Sequence, residues 1–231
     1  MATQAIFQTQ WQIYRKVIDF NYNFHREVYN LLHGILVTEA PKPFRFLDIA
    51  CGDATGSRAA LRGTDVSGYF GVDLSQPALT LAEETLKTLP CPVTLVQADF
   101  VEALAGWSEA VDVVWIGQSL HHLDTRNKGE LMRRVRRLLG PNGLFLIWEP
   151  TLSEGEDRDG WLGRVEHGSR LLWTELDASE FCAIFTHNRA SDYPEPVAVW
   201  HSLGLEAGFC TAQTVFVDPR ELARVYCYRP S

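Results

Sequence analysis

Small and acidic residues crowd residues 46–56, which read FLDIACGDATG. Asp48 ends an apolar run, and the small residues that follow it are Ala50, Cys51, Gly52 and Gly56. Glycine lets a backbone approach a ligand closely, and a helix beginning near Thr55 would offer free N–H groups to an anionic group. A tight turn that needs glycine only for packing would give the same letters, so further features must decide.

Three further groups of reactive side chains follow predicted strands. Asp73 ends the second strand, where a carboxylate can accept hydrogen bonds from ribose hydroxyls. Asp99 and Phe100 follow the third strand and offer an acceptor beside an aromatic ring. The segment QSLHH, residues 118–122, follows the fourth strand. Asp73 and Asp99 could instead cap the helices that follow them, but the joint arrangement favours a ligand site.

The adjacent histidines of QSLHH suggest proton transfer. His122 is the candidate general base and His121 the alternative, because an imidazole has an unperturbed pKa of about 6.5. Together with Glu149 they could also suggest a metal site. Adjacent side chains on a regular backbone point apart, so we expect no metal.

The elements that position these residues alternate between strand and helix. Seven segments are predicted as strands: Phe44–Ala50, Tyr69–Asp73, Val93–Gln97, Val111–Ile116, Leu144–Trp148, Phe209–Val217 and Ala223–Tyr228. Helical patterns separate the first five, which predicts right-handed crossovers and a parallel sheet. The last two strands are joined by a short turn, which indicates an antiparallel hairpin. We therefore expect an α/β fold with one doubly wound, mostly parallel seven-stranded sheet and an antiparallel edge hairpin.

FLDIACGDATG, GVDLS, QADF, VDVVWIGQSLHHL and GLFLIWEP, in this order, resemble a class I S-adenosylmethionine-dependent methyltransferase of the small-molecule branch. The resemblance covers about residues 44–150. It implies S-adenosylmethionine as cofactor, S-adenosylhomocysteine as product and no metal. It implies that the donor is contacted by Asp48, Ala50, Cys51, Gly52, Gly56, Asp73, Leu74, Asp99, Phe100 and Gln118. In one departure from the family, Ala50 and Ala54 stand where its loop often has glycine.

The rest of the chain is expected to complete the site. Residues 1–40 should form a helical lid dense in aromatic residues, of which Trp11 and Phe24 are expected to pack in its core. Tyr14 and Tyr22 are the candidate catalytic tyrosines, one of which should meet His122 across the bound donor. Residues 41–231 should form the methyltransferase domain. An irregular insertion at about residues 150–195 should build the acceptor pocket from aromatic residues, among them Trp148, Trp161, Trp173 and Phe185.

The composition of the chain disfavours some classes of function. The net charge of −8 disfavours nucleic-acid binding, and Arg133 and Arg137 should form the solvated face of an amphipathic helix. Five scattered cysteines without a CxxC pair favour reduced thiols in the cytoplasm. No signal or membrane span is expected.

We predict methyl transfer to a hydroxyl or amine of a small molecule by a monomer or homodimer. The alternatives are a nucleic-acid or protein methyltransferase and a non-catalytic donor-binding protein. A nicotinamide dehydrogenase is disfavoured, because the gap between Gly52 and Gly56 is too wide for its loop.

Overall fold

A computed structural model of the chain describes residues 13–231, so Trp11 lies outside the described residues. The strands are β1 (Phe44–Ile49), β2 (Val66–Asp73), β3 (Val93–Gln97), β4 (Val111–Gly117), β5 (Leu139–Leu152), β6 (Glu195–Pro196), β7 (Thr211–Val217) and β8 (Ala223–Arg229). They form a sheet in the order β3-β2-β1-β4-β5-β8-β7, with β6 paired to β5 off this path.

The pairing of the strands confirms the predicted fold class. β1 to β5 pair in parallel, and β8 runs antiparallel to both β5 and β7. The two-residue strand β6 adds an eighth member that the sequence did not predict. The order of strands reverses between β1 and β4, so their carboxyl ends open a crevice in which such sheets bind ligands.

Helices cover both faces of the sheet. They are α1 (residues 13–19 of the described chain), α2 (His25–Thr38), α3 (Thr55–Leu61), α4 (Gln76–Leu86), α5 (Phe100–Ala105), a 3₁₀ turn (Leu120–His122), α6 (Thr125–Leu138), α7 (Arg158–Leu172), α8 (Ala178–Ser191) and α9 (Val197–Glu206). α2, α3 and α4 pack on one face, and α5, α6 and α9 pack on the other. The central strands β1 and β4 are therefore buried from both sides, which explains their almost continuous apolar sequence, whereas the edge strands β3 and β7 are partly exposed.

The insertion between β5 and β6 is more regular than predicted, because most of it consists of helices α7 and α8. The acidic residues that suggested irregular structure lie at the helix starts. Asp157 accepts a hydrogen bond from the backbone N–H of Gly160, and Asp177 forms a capping box with Glu180. Apolar residues at helical spacing inside both helices then face one small core.

The segment that leads to α2 packs on this insertion. Ile13 and Val17 of α1 join the core formed with α7 and α8. Lys16 forms an ion pair with Glu180 at 2.7 Å, and the ring of Tyr22 stacks on Trp173 with ring centroids 5.3 Å apart. The helical conformation is interrupted between α1 and α2 near Asn21, as the sequence predicts. α1 and the insertion therefore cover the crevice together.

Two glycines inside helices provide a test of the packing. A Cβ atom added at Gly204 in α9 would lie 2.3 Å from the ring of Tyr228, whereas one at Gly34 in α2 would meet nothing within 4 Å. We expect Gly204→Ala to cost about 1–3 kcal/mol, which is on the order of 2–12 °C in melting temperature. Gly34→Ala should be neutral or stabilising by up to about 1 kcal/mol. Equal melting temperatures of the two variants in thermal unfolding would contradict this packing.

Candidate active site

The loop after β1 has an alternating backbone conformation. Ala50, Gly52 and Ala54 all adopt left-handed φ angles, of 57°, 55° and 57°. This conformation costs a residue with a Cβ about 1–2 kcal/mol, so the two alanines are strained where glycine would be relaxed. Such strain persists where the surrounding structure requires one loop shape, and it clusters at functional sites. The loop therefore has the shape expected of a glycine-rich loop although two glycines are replaced.

Asp48 lies beneath this loop and is only 2% exposed. Its Oδ2 atom accepts a hydrogen bond of 2.6 Å from the hydroxyl of Tyr69. Burial raises the pKa of Asp48 to about 7, although hydrogen bonds from Ser57 and Tyr69 oppose the shift. A cationic ligand beside Asp48 would favour its charged form.

Asp73 joins the loop to the end of β2. Its Oδ2 atom accepts a hydrogen bond of 2.8 Å from the backbone N–H of Gly52, and its Oδ1 atom accepts one of 2.8 Å from that of Ser75. Burial raises the pKa of Asp73, and these backbone donors limit the shift. The neighbouring Leu74 is 61% exposed and can contact a ligand at the crevice. The role of Asp73 on the donor's ribose stays a prediction.

Three other residues of the predicted donor site have structural roles as well. Gly56 is needed for packing, because a Cβ there would lie 2.2 Å from the ring of Tyr29. Asp99 caps α5, with its Oδ1 atom accepting from the backbone of Val101 at 2.8 Å. Burial raises the pKa of the Cys51 thiol, which keeps it protonated. These findings neither support nor contradict donor contacts by Cys51, Gly56, Asp99 and the adjacent Phe100.

Glu149, at the end of β5, organises the turn after β4. Its side chain is fully buried and accepts hydrogen bonds from the backbone N–H groups of Ser119, Leu120 and His121. Its Oε2 atom also accepts one of 2.7 Å from Nδ1 of His121. Gln118 precedes this turn in a left-handed conformation with φ 57°. Burial lowers the pKa of His121, but the carboxylates of Glu149 and Asp192 outweigh it and raise the pKa to about 9.

His121 and His122 converge, and the expectation that they point apart is wrong. Their ring centroids lie 4.2 Å apart because they occupy a 3₁₀ turn rather than a regular helix or strand. Asp192, just beyond α8, approaches both rings. Its Oδ1 atom lies 3.5 Å from Nε2 of His121 and 3.5 Å from Nδ1 of His122. The ring of His187 lies 5.3 Å from that of His122.

A cavity of about 310 Å³ opens between the turn after β4, the insertion and α1. Gln118, His121 and His122 line one side, and aromatic residues of α7 and its C-terminal end, Trp161 and Trp173, line another. Ser169 Oγ, Trp173 Nε1 and Asp192 Oδ1 are buried atoms of cavity-lining residues, and none has a hydrogen-bond partner among residues 13–231. A ligand with polar groups would satisfy them.

The two tyrosines predicted to be catalytic have different positions. Tyr14 lines the cavity with His122, and its hydroxyl lies 3.4 Å from Nε2 of His25. Desolvation and, after it, the carboxylates of Asp53 in the loop after β1 and of Asp73 at the end of β2 raise the pKa of Tyr14 to about 12. The hydroxyl of Tyr22 instead accepts a hydrogen bond of 2.9 Å from the backbone N–H of Glu175.

Sequence reasoning missed Asp192 and Ser169. Asp192 lies 70 residues beyond His122 and belongs to no motif, and Ser169 lies inside a helix that was not predicted. The aromatic residues of the insertion indicated a pocket, but no pattern in the sequence marks which polar residues face it.

The chain is similar to known proteins in sequence and in fold. A family described as Methyltransferase domain matches residues 46–143. An O-methyltransferase family protein from Burkholderia thailandensis superposes with a TM-score of 0.63 at 17% identity, over 90% of this chain and 56% of its own. The cyclopropane synthase MmaA2 from Mycobacterium tuberculosis gives 0.57 at 20% identity, over 82% and 62%. The YcgJ protein from Bacillus subtilis gives 0.59 at 14%, over 88% and 95%. A search of curated proteins gives no match.

These comparisons agree with the sheet order and the loop after β1. At such identities the solved structures show the fold alone. The chain spans less than two thirds of the length of the O-methyltransferase family protein and of MmaA2. The methyltransferase domain at residues 46–143 adds the sequence evidence. Residues 46–143 therefore match a methyltransferase domain, and the described chain has the class I methyltransferase fold. Within residues 13–231, no helix is long and apolar enough to cross a bilayer.

The contacts of Asp73 predict an effect on the donor. We expect Asp73→Asn to weaken S-adenosylmethionine binding about 10- to 100-fold, because a hydrogen bond to a charged acceptor contributes about 1.5–3 kcal/mol. Asp65→Asn, at an exposed position outside the crevice, is the control and should bind normally. Isothermal titration calorimetry measures both. Equal affinities would remove Asp73 from the donor site.

The raised pKa of Asp48 predicts a pH dependence of stability. The carboxyl titrates near 3.8 when unfolded and at about 7 when folded, so the folded state holds the extra proton. Between these values stability should fall as pH rises, by up to about 1.4 kcal/mol per unit. Asp48→Asn should remove this slope, as measured by urea unfolding of the donor-free protein between pH 5 and about 8. An unchanged slope would show that Asp48 titrates normally.

Proposed function

We propose that the protein transfers the methyl group of S-adenosylmethionine to a small molecule that has a hydroxyl or an amine. The position of the cavity supports this proposal most directly. Gln118, expected beneath the methionine portion of the donor, lines the cavity, and so does Tyr14, whose pKa is raised by desolvation and then by the carboxylates of Asp53 and Asp73. An acceptor in the cavity would therefore lie beside the methyl group.

The electrostatics of the crevice suit this donor. Asp48 is a buried carboxylate and Asp73 a partly buried one, and both have raised pKa values, so a cation nearby would relieve the cost of their charge. S-adenosylmethionine has a positively charged sulfonium and an ammonium group. The anionic phosphates of a dinucleotide would add to the negative charge instead.

The lining of the cavity suits an acceptor with apolar surface and at least one polar group. Trp161 and Trp173 provide flat apolar surface, and Ser169 and Trp173 provide the unsatisfied hydrogen-bonding atoms. The volume of about 310 Å³ is at the lower end of the usual range for small-molecule sites. It favours a small metabolite over a segment of a polymer.

The reaction is an in-line displacement. A lone pair of the acceptor oxygen or nitrogen forms the bond to the methyl carbon, and the sulfur takes the electron pair of the breaking C–S bond. The products are the methylated acceptor and S-adenosylhomocysteine. Because the donor is already activated, alignment and exclusion of water supply most of the catalysis.

The acceptor's proton must also leave. His122 lies on the side of the cavity next to Gln118 and is the proposed acceptor of this proton, with His121 as the alternative. Residues 1–40 are proposed as a lid and residues 41–231 as the domain it covers. The packing of α1 on α7 and α8 supports the lid, because it joins the segment to the acceptor side of the cavity. Cytoplasmic location and a monomeric or homodimeric state stay predictions.

Two variants separate acceptor recognition from donor binding. Ser169→Ala should raise the KM for the acceptor and leave donor affinity unchanged, because Ser169 lines the cavity and its hydroxyl has no partner among residues 13–231. His122→Ala should lower kcat by on the order of 10²–10⁴ and also spare donor affinity.

Tyr14→Phe should slow turnover more than Tyr22→Phe, because Tyr14 lines the cavity.

Release of S-adenosylhomocysteine across a panel of hydroxyl and amine metabolites measures turnover, and calorimetry measures the affinity for the donor. Donor binding without turnover on any acceptor would favour a non-catalytic donor-binding protein. Heat with a nicotinamide dinucleotide and none with S-adenosylmethionine would overturn the proposal.

A further inference from the structure

Three ligand-type atoms meet at the side of the cavity formed by the turn after β4. His121, His122 and Asp192 each contribute one of them, and the three atoms lie within 4.8 Å of one another. Asp192 Oδ1 lies near Nε2 of His121 and Nδ1 of His122. Both distances to the Asp192 oxygen are 3.5 Å. That is longer than the 2.7–3.2 Å typical of an N–H···O hydrogen bond. The three groups are therefore close together without being well paired.

We propose that His121, His122 and Asp192 bind a divalent transition-metal ion. Ligands of a tetrahedral zinc ion lie about 2.0–2.1 Å from the metal, which places neighbouring ligand atoms about 3.4 Å apart. The two measured separations of 3.5 Å match this spacing. Two imidazoles and one carboxylate are also a donor set that catalytic metal sites use, with at least one coordination position open.

The unsatisfied oxygen of Asp192 is an independent observation. Asp192 is 5% exposed, and its Oδ1 atom has no hydrogen-bond partner among the described residues. A buried carboxylate oxygen without a partner is costly unless a cation is present. A metal ion between Asp192 and the two histidines would satisfy it.

The surroundings of His121 fit a metal ligand. Its Nδ1 atom donates to Glu149, which orients the ring and leaves Nε2 directed toward Asp192. Carboxylate–histidine–metal arrangements use this geometry, because the carboxylate fixes the tautomer and raises the basicity of the ligating nitrogen. Binding of the ion would displace the proton from Nε2.

The backbone holds the three residues in place. The N–H of Tyr193 donates to the carbonyl oxygen of His121 at 2.9 Å. The guanidinium of Arg158 donates to the carbonyl oxygen of Asp192 at 2.6 Å. His122 is the adaptable member, since its Nδ1 atom also lies 3.1 Å from the carbonyl oxygen of Ser191. Without metal it donates there, and with metal the lone pair of Nδ1 would ligate.

The donor set selects among cations. Imidazole nitrogen suits Zn²⁺, Fe²⁺ or Co²⁺, whereas Mg²⁺ prefers oxygen ligands alone. Because all three ligand residues line the cavity, an open position would face the acceptor. A hydroxyl bound there would lose its proton to water more readily and present its oxygen to the methyl group, so in the metal-bound protein the ion would replace His122 as the group that promotes this proton loss. This role in the reaction rests on the proposed function, whereas metal binding does not.

The test begins with the full chain after removal of metals by a chelator. We expect one equivalent of Zn²⁺ to bind in calorimetry and to raise the melting temperature, and Mg²⁺ to do neither. Co²⁺ should give the visible absorption of a low-symmetry four- or five-coordinate site. His122→Ala and Asp192→Asn should each weaken Zn²⁺ binding more than about 100-fold, because loss of an outer-shell partner alone typically costs 10- to 100-fold.

The control is His167→Ala, which removes an exposed imidazole outside the cluster and should bind Zn²⁺ normally. His122 is part-exposed, so its variant should remain folded, which the melting temperature checks. Absence of Zn²⁺ binding, or binding unchanged in both cluster variants, would overturn the proposal. Titration of the metal-free protein with S-adenosylmethionine tests the donor site separately. Donor binding and turnover with the chelator present would leave the proposed function intact and remove the metal's role in the reaction, whereas the Zn²⁺ titration alone decides the metal site.

Discussion

The site depends on one buried carboxylate. Glu149 is fully buried, and its two oxygens accept from three consecutive backbone N–H groups and from the ring of His121. These donors offset the large cost of burying the charge. Removal of the carboxylate or of its donors would leave the remaining groups unpaired. The carboxylate thereby determines the shape of the turn that follows β4. The positions of Gln118 and His122 follow from that turn.

Negative charge accumulates along one edge of the sheet. Asp48 and Asp73 lie at the ends of β1 and β2, and Glu149 lies at the end of β5. In a parallel sheet these ends face the same crevice, so their fields add in a medium that screens them poorly. Burial raises the pKa values of Asp48 and Asp73 by desolvating their charged forms, and the charge of Asp73 adds to the shift of Asp48. The crevice is therefore better suited to a cationic ligand than to an anionic one.

The acceptor side is assembled from segments far apart in the chain. α1, the insertion helices and the hairpin of β7 and β8 meet there, joined by an ion pair between Lys16 and Glu180 and by a hydrogen bond from Arg220 to the carbonyl oxygen of Tyr22. The donor loop, by contrast, lies on short connections between neighbouring strands. Because of this division, the insertion can vary without disturbing the sheet or the loop after β1.

The sequence by itself determined the fold class and which residues lie at the carboxyl ends of the strands. Strand and helix periodicities are local properties, and residues at strand ends such as Asp73 and Gln118 lie along the same end of the sheet because parallel topology requires it. Only the tertiary structure decided the acceptor side. Asp192 reaches His122 through the packing of α8, and the convergence of His121 with His122 follows from a turn that Glu149 holds from another strand. Such contacts join positions with no local pattern between them, so their physical cause is long-range packing.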